Sequence, residues 1–222
     1  MTAAADARDT KARLVAAATE LFAARGFHAT TVRDIAGRAG VNVASGNYHY
    51  GSKKALYVEV LRAQFAGIRA QLQRRGATVP PAALARLSRA ALARLLQARV
   101  QAMLDLMVGP PAAPHAALMQ REMCDPSEVL PLIVSEFIVP MVDETAAIVA
   151  HLAPGLGRQE AECCVFSIVA QAHFYQVVQP AMLLKHGWRA YPRGFTRRLA
   201  AHITRFSLGG LARLGARRRH AG

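Results

Sequence analysis

Apolar positions recur at intervals of three and four along almost all of this 222-residue chain, which predicts helices throughout. Leu14, Ala17, Ala18, Leu21 and Phe22 form one stripe of a first helix over about 10–25, which Gly26 closes. Val32, Ile35, Ala36 and Ala39 predict a short second helix, and Val41 resumes the pattern for a third of about two turns over 43–49. Leu56, Val60, Leu61, Gln64, Phe65 and Ile68 then mark the inner face of a longer helix from Lys53 to about Arg74. Residues 76–81 interrupt the pattern and read as a boundary. Beyond them the chain is a series of long helices, over about 82–108, 114–123, 126–152, 159–186 and 194–215. Leu84, Leu87, Leu92, Leu95, Leu96, Val100, Met103 and Met107 give the first of these its period, and Pro140 should kink or divide the third.

The ends of the short helices are written in the sequence. Thr31 with Asp34 three residues on is a capping-box start. Gly40 stands where a helix must stop and the chain turn sharply, a place for a residue that tolerates positive φ. Ser52 is placed to cap the helix beginning at Lys53. Asp125-Pro126-Ser127-Glu128 reads as another helix start. Two short helices joined by a tight turn, with a capped helix after them, let one helix lie in the major groove of DNA while its neighbours hold the backbone. The outward positions Asn42, Ala44, Ser45, Asn47 and His49 are small or hydrogen-bonding, as groove readers are. Arg33, Lys53 and Lys54 flank them with charge suited to phosphates. The same spacing also fits a helical hairpin with solvated charges.

Composition changes the picture little, and charge changes it more. Hydrophobic residues make up 53%, with alanine the commonest of them, while aromatic residues make up 6%, so an all-α fold is expected rather than a large sheet. Three cysteines (Cys124, Cys163 and Cys164) offer no disulfide framework and suit a reducing cytoplasm. No run of strongly apolar residues is long enough to span a membrane, and the first ten residues do not read as a secretory leader. The net charge is +14. Residues 1–75 carry twelve Lys and Arg against five Asp and Glu, 76–160 six against eight, and 161–222 ten against one. The basic N-terminal stretch coincides with the groove-reading segment, as a phosphate-binding surface should. Arg217-Arg218-Arg219 reads as a solvated, disordered tail, with a secondary DNA contact as the alternative.

Residues 10–60 resemble the N-terminal domain of TetR-family transcriptional regulators. The matching stretches are Leu14 to Gly26-Phe27, Thr31-Val32-Arg33-Asp34-Ile35-Ala36, and Tyr48-His49-Tyr50-Gly51-Ser52-Lys53-Lys54-Ala55-Leu56. The resemblance implies phosphate contacts from Tyr48, His49 and Lys53, base-edge or nearby contacts from Asn42, Ala44, Ser45 and Asn47, and a backbone contact from Thr31. Two residues depart from the pattern. Tyr50 stands where Phe is usual, which places a hydroxyl at a normally buried position. Gly46 lies inside the recognition helix, at a cost of about 1 kcal/mol relative to Ala.

The residues read as a flexible arm over 1–9, a connecting helix and linker over 58–81 and a basic tail over 216–222, and the resemblance further implies about nine helices, with a helix-turn-helix domain over 10–57 and a ligand-binding and dimerisation domain over 82–215. Arg121-Glu122, Pro126, Phe137-Ile138-Val139-Pro140, Phe166-Ser167-Ile168 and Gln171-Ala172-His173-Phe174-Tyr175 are similar to a TetR subgroup whose last two helices pair across a homodimer. Repression of a palindromic double-stranded operator, relieved by a small-molecule inducer, is the implied function. The two recognition helices would then stand about one DNA turn apart, roughly 34–36 Å. Tenfold release needs about 1.4 kcal/mol of coupling.

Met103, Met107 and Met119 are adaptable candidates to line the inducer pocket. His115, Arg121, Glu122, His173, Phe174 and Gln176 could supply polar or aromatic contacts. The plainer reading makes the methionines core filler and Arg121-Glu122 a structural ion pair. Three other functions compete. A metal or redox sensor would use His151, Cys163, Cys164 and His173, but adjacent cysteines on a helix point about 100° apart and suit one ion poorly. An enzyme would need converging nucleophile and base, and no phosphate loop, nucleophile elbow or dinucleotide fingerprint is seen. Neither a metal nor a cofactor is expected. A charge-only DNA binder would show steep salt dependence without sequence preference.

Overall fold

The structure is a computed structural model, and it describes residues 2–42, 50–108 and 114–219. Its helices, numbered in chain order, begin with α1 (Thr2–Arg25), α2 (Val32–Ala39) and α3 (Lys53–Arg74). Next come α4 (Pro81–Leu84), α5 (Arg89–Val108), α6 (Pro114–Cys124) and α7 (Leu130–Ile133). A π-helical turn (Val134–Ile138) leads into α8 (Val139–Leu152), followed by α9 (Arg158–Val177), α10 (Gln179–His186) and α11 (Phe195–Arg219). No strand occurs among the described residues, so the fold is all-α. The chain forms two compact units, one of residues 1–68 with 112–135, the other of 69–111 with 136–222.

The first unit packs α2 and α6 against α1. Its core is the expected stripe, with Leu14, Ala17, Ala18 and Phe22 of α1, Ile35, Ala36 and Ala39 of α2, and Leu56, Val60, Leu61 and Phe65 of α3 all buried. Tyr57, only 1% exposed, joins them. Its ring lies 4.6 Å from that of Phe22 and 5.0 Å from that of Phe27, inside the range where aromatic pairs attract.

The second unit is a bundle in which α5 is the common partner: α8, α9 and α11 all pack on it. Leu92, Leu95, Leu96, Val100 and Leu104 of α5 meet Ile148, Val149 and Leu152 of α8, Val165 and Ile168 of α9, and Ile203 and Leu211 of α11. One charged residue is buried among them. The Arg99 guanidinium donates to Glu144 Oε2 at 2.9 Å, Thr145 Oγ1 at 3.2 Å, the Ala77 carbonyl at 3.1 Å and the Met141 carbonyl at 3.4 Å. A buried cation is tolerable when its donors are met in this way.

Prolines and serines cut the long helices more finely than their periodicity predicts. The expected 82–108 helix is two, α4 and α5, because Ser88 caps a new start: its Oγ accepts from the Ala91 N–H at 3.2 Å. The expected 159–186 helix divides at Val178, since Pro180 has no N–H to give the Gln176 carbonyl. Pro140 divides its helix as expected, through a π turn. It leaves the Glu136 carbonyl without the usual donor four residues on, and Arg69 Nη2 donates there at 2.6 Å. The start predicted at Asp125-Pro126 falls later, at Leu130, with Ser127 Oγ accepting from the Val129 N–H at 3.1 Å.

Two chain ends also differ from expectation. α1 begins at Thr2 rather than after an arm of nine residues, in keeping with its run of alanines. α11 continues to Arg219 instead of ending at a tail from 216. The larger difference concerns residues 112–135. The expected organisation places them in an effector domain over 82–215, whereas they belong to the compact unit of α1 and α2. Periodicity shows that α6 has an apolar face but not which helix covers it.

Candidate nucleic-acid interface

The site grows from the two ends of α2. At its N-terminus the predicted capping box is formed: the Asp34 N–H donates to Thr31 Oγ1 at 3.1 Å, and Asp34 Oδ2 accepts from the Thr31 N–H at 3.1 Å and hydroxyl at 2.7 Å. The Thr31 hydroxyl and N–H, with the charges of Arg25 and Arg33, hold the Asp34 carboxyl below its ordinary range. At the C-terminus Gly40 adopts φ +64 and ψ +37, the left-handed cap predicted for it. Arg13 of α1 donates to the Ala39 carbonyl at 2.5 Å and the Gly40 carbonyl at 3.0 Å, placing a cation at the negative end of the helix. Arg38 forks onto Glu20 Oε2 at 2.9 and 2.6 Å. α2 is therefore pinned to α1 at three points by polar contacts and along its length by burial.

On the far side of the turn, Ser52 Oγ accepts from the Ala55 N–H at 3.0 Å and starts α3 as predicted. Lys53 Nζ lies 4.3 Å from the centre of the Phe27 ring and donates to the Phe27 carbonyl at 2.9 Å. Its ammonium is thus held in place with, among the described residues, two N–H groups to spare. Lys54 instead pairs with Glu128 at 3.2 Å. Tyr50 is the residue that stands in place of the usual Phe. Its hydroxyl is buried without a partner among the described residues, and burial, then the charge of Glu59, push its phenol up to about 12. Lys11 Nζ lies 5.3 Å from the centre of the same ring.

Of the predicted DNA contacts, Thr31, Arg33 and Asn42 are exposed and Lys53 is half-buried. Ala44, Ser45, Asn47, Tyr48 and His49, together with Gly46, lie outside the described residues. The frame that holds them is described on both sides, from Gly40 to Asn42 and from Tyr50 to Lys53.

The predicted ligand residues are not brought together in one unit. Met103 and Met107 are half-buried on α5 against the second unit's core. Met119 and Glu122 lie on α6 in the first unit, as does the backbone of His115, whose side chain is outside the described residues. His173 and Phe174 are exposed on α9, Phe174 by 61%. Gln176 is half-buried.

Arg121 and Glu122 turn to different partners instead of to each other. Arg121 donates to the Ala23 carbonyl at 2.9 Å and to the Ala24 carbonyl, capping the end of α1. Glu122, 2% exposed, accepts the Tyr57 hydroxyl on Oε1 at 2.7 Å, and on Oε2 the Ser127 N–H at 3.2 Å and hydroxyl at 3.1 Å. Both of its oxygens are occupied within the first unit, so it leaves the set of pocket candidates. Burial, and then the bond to Glu122, raise the Tyr57 phenol. No local pattern in the chain foreshadows this pair.

Cys163 is exposed and Cys164 half-buried against the second core, and burial raises the Cys164 thiol. Among the described residues no three His, Cys, Asp or Glu side chains are grouped as they would be round a metal ion, and no helix is long and apolar enough to cross a membrane.

Residues 14–60 match the model of bacterial regulatory proteins of the tetR family. Residues 92–211, over half of the chain, match that of the C-terminal domain of the HTH-type transcriptional dual regulator CecR. The chain is 24% identical over 203 residues to the HTH-type transcriptional dual regulator CecR of Shigella flexneri, covering 87% of each. It is 46% identical over 52 residues to the HTH-type transcriptional repressor KstR2 of Rhodococcus jostii strain RHA1, covering 23% of this chain and 26% of that one. Among solved structures, a TetR-like transcriptional regulator from Rhodococcus sp. RHA1 superposes with a TM-score of 0.65 at 18% identity, covering 91% of this chain and 96% of that one.

Proposed function

We propose, from the premise that the chain belongs to the TetR family of bacterial regulatory proteins and carries a CecR-type C-terminal domain, that it represses transcription from a palindromic operator as a homodimer and releases it when a small molecule binds its second unit. The observation that carries this reading is the frame around residues 43–49. A boxed and pinned α2, a left-handed turn at Gly40 and a separately capped α3 hold both ends of the segment that would enter the major groove.

In this reading Asn42, Ala44, Ser45 and Asn47 meet or approach base edges, and Tyr48, His49, Arg33 and Lys53 meet phosphates. Asp34 takes both the Thr31 hydroxyl proton and the Thr31 N–H, so the backbone contact expected of Thr31 passes to the N–H groups that follow it in the first turn of α2. Homodimer pairing is supported by the apolar side chains that α9 and α11 leave exposed: Phe166, Phe174, Val177, Phe206 and Leu214. Ligand binding in the second unit is supported by Met103 and Met107 and by the Thr204 hydroxyl, which is buried with no partner among the described residues. A ligand acceptor would relieve it.

The test is titration of the protein against its own upstream intergenic DNA, with excess unrelated DNA, at near-physiological salt. Binding that survives the competitor and weakens in Arg33→Gln and Lys53→Gln supports operator reading. Binding equal to that of the competitor overturns it.

A further inference from the structure

The positive charge of this chain lies mainly away from the unit that reads DNA. Residues 1–68 with 112–135 carry ten Lys and Arg against eight Asp and Glu, a net of +2. Residues 69–111 with 136–222 carry eighteen against six, a net of +12, and no acidic residue follows Glu162.

Part of that excess is gathered at one place in the second unit. Lys185 lies in the last turn of α10, Arg189 and Arg193 in the following loop, and Arg197 and Arg198 in the first turn of α11. All five are exposed, and none is paired with an acid among the described residues. The loop that carries them is held by an aromatic cluster. Tyr191 and Phe195 stack with ring centres 4.5 Å apart, Trp188 meets Phe195 edge-on at 5.9 Å, and His186 stacks on Trp188 at 4.4 Å. The Tyr191 hydroxyl donates to the Tyr175 carbonyl at 2.8 Å, tying the loop to α9. Arg197 and Arg198 converge: a Cβ on Gly194 would stand 3.8 Å from Nη2 of one and from Nη1 of the other. Neighbouring guanidinium groups repel unless an anion lies between them.

We propose that this face is a second nucleic-acid contact, binding the phosphate backbone of duplex DNA without regard to sequence. The inference rests on the first unit being the operator reader. The ten cations of that unit are offset by eight acids, whereas most of the chain's uncompensated charge, the kind that attracts a phosphate backbone without regard to sequence, lies in the second unit. A duplex that the first unit holds brings phosphates to the chain, and the guanidinium fork matches their geometry.

The experiment compares the full chain with Arg193→Gln/Arg197→Gln/Arg198→Gln and with a charge-matched control, Arg86→Gln/Arg94→Gln/Arg158→Gln, whose arginines are exposed elsewhere on the same unit. Fluorescence anisotropy across a salt series follows binding to an unrelated duplex and to the upstream DNA. The expected result is a shallower salt dependence on the unrelated duplex in the first variant and not in the control. The slope should fall by about 0.9 for each phosphate that the variant no longer neutralises. Equal slopes in the two variants overturn the proposal. So does a loss confined to phosphatidylserine vesicles or to polyglutamate. If the unaltered chain shows no preference for upstream DNA while the slopes still differ, operator reading fails and this face stands.

Discussion

The Tyr57 hydroxyl donates to Glu122 Oε1 at 2.7 Å across 65 residues of sequence, and both side chains are almost fully buried. This bond fastens α6 to α3 within the first unit, beside the Arg121 contacts that fasten α6 to the end of α1. Truncating Glu122 leaves the Tyr57 hydroxyl and the Ser127 N–H buried without an acceptor, whereas Tyr57→Phe leaves only one carboxylate oxygen short. Glu122→Ala should therefore lower unfolding free energy by about 3 kcal/mol and Tyr57→Phe by about 1.5 kcal/mol. A double-mutant cycle read by urea denaturation should give a coupling of about 1 kcal/mol or more. Strict additivity would mean that the bond adds nothing.

Tyr50→Phe is expected to stabilise the chain. It removes a buried hydroxyl with no partner among the described residues, worth about 1 kcal/mol. The same hydroxyl makes a pH signature. Its pKa is raised in the folded chain, so its protonated form favours folding below the ordinary value of 10.0, and that contribution is lost as pH climbs to about 12. Alkaline melting curves should therefore diverge over that interval, the parent falling further below Tyr50→Phe as pH rises. Curves that stay parallel would place the phenol in solvent.

At the other end of the scale, Asp34 is held below its usual range chiefly by the Thr31 hydroxyl. A depressed carboxyl stabilises the fold above its unfolded value and loses that contribution as pH falls through its folded one. Asp34→Asn should melt lower than the parent near neutrality, with the gap closing in acid. A gap that stays constant with pH would show that the charge plays no part.

Thr204→Val separates pocket from packing. If the buried hydroxyl waits for a ligand acceptor, the substitution leaves operator binding and melting temperature intact or raised while weakening release by inducer. Unchanged release would mean that the ligand does not reach α11.

Arg99 offers a larger effect on the second unit. Arg99→Ala strips donors from Thr145, Glu144, Ala77 and Met141 and leaves a hole in the core, at a cost of about 3 kcal/mol. Glu144 is half exposed and solvates readily, so Glu144→Gln should cost far less. Thermal unfolding of the two variants side by side checks the asymmetry.

Local chemistry made part of this molecule readable in advance. The Thr31–Asp34 box, the left-handed Gly40 and the Ser52 cap each depend on residues within three or four of one another, and all three are formed. The inner stripes of α1, α2 and α5 were equally plain because burial repeats with the helical period. Partners were not. Glu122 has the same local pattern whether it faces a ligand, Arg121 or a tyrosine 65 residues away, and periodicity is silent on the choice. The breaks at Ser88 and Val178 escape the pattern for a different reason: apolar spacing runs on through them, while one hydroxyl and one missing N–H decide the backbone. Arg69 likewise carries no local sign that it donates to the Glu136 carbonyl, which Pro140 cannot serve.

Two adjacent glycines of α11 set two kinds of selection against each other. Gly209 and Gly210 are exposed in mid-helix, and a Cβ on either would meet nothing within 4 Å among the described residues. Each weakens the helix by about 1 kcal/mol relative to alanine, with no return from the protomer's own packing. A library screened for heat resistance should therefore enrich alanine at both positions. A library screened for pairing on a face lined by Phe206 should purge it, because a methyl group there holds an approaching backbone at a greater distance. The disagreement between the two screens would map, residue by residue, where one copy ends and the next begins.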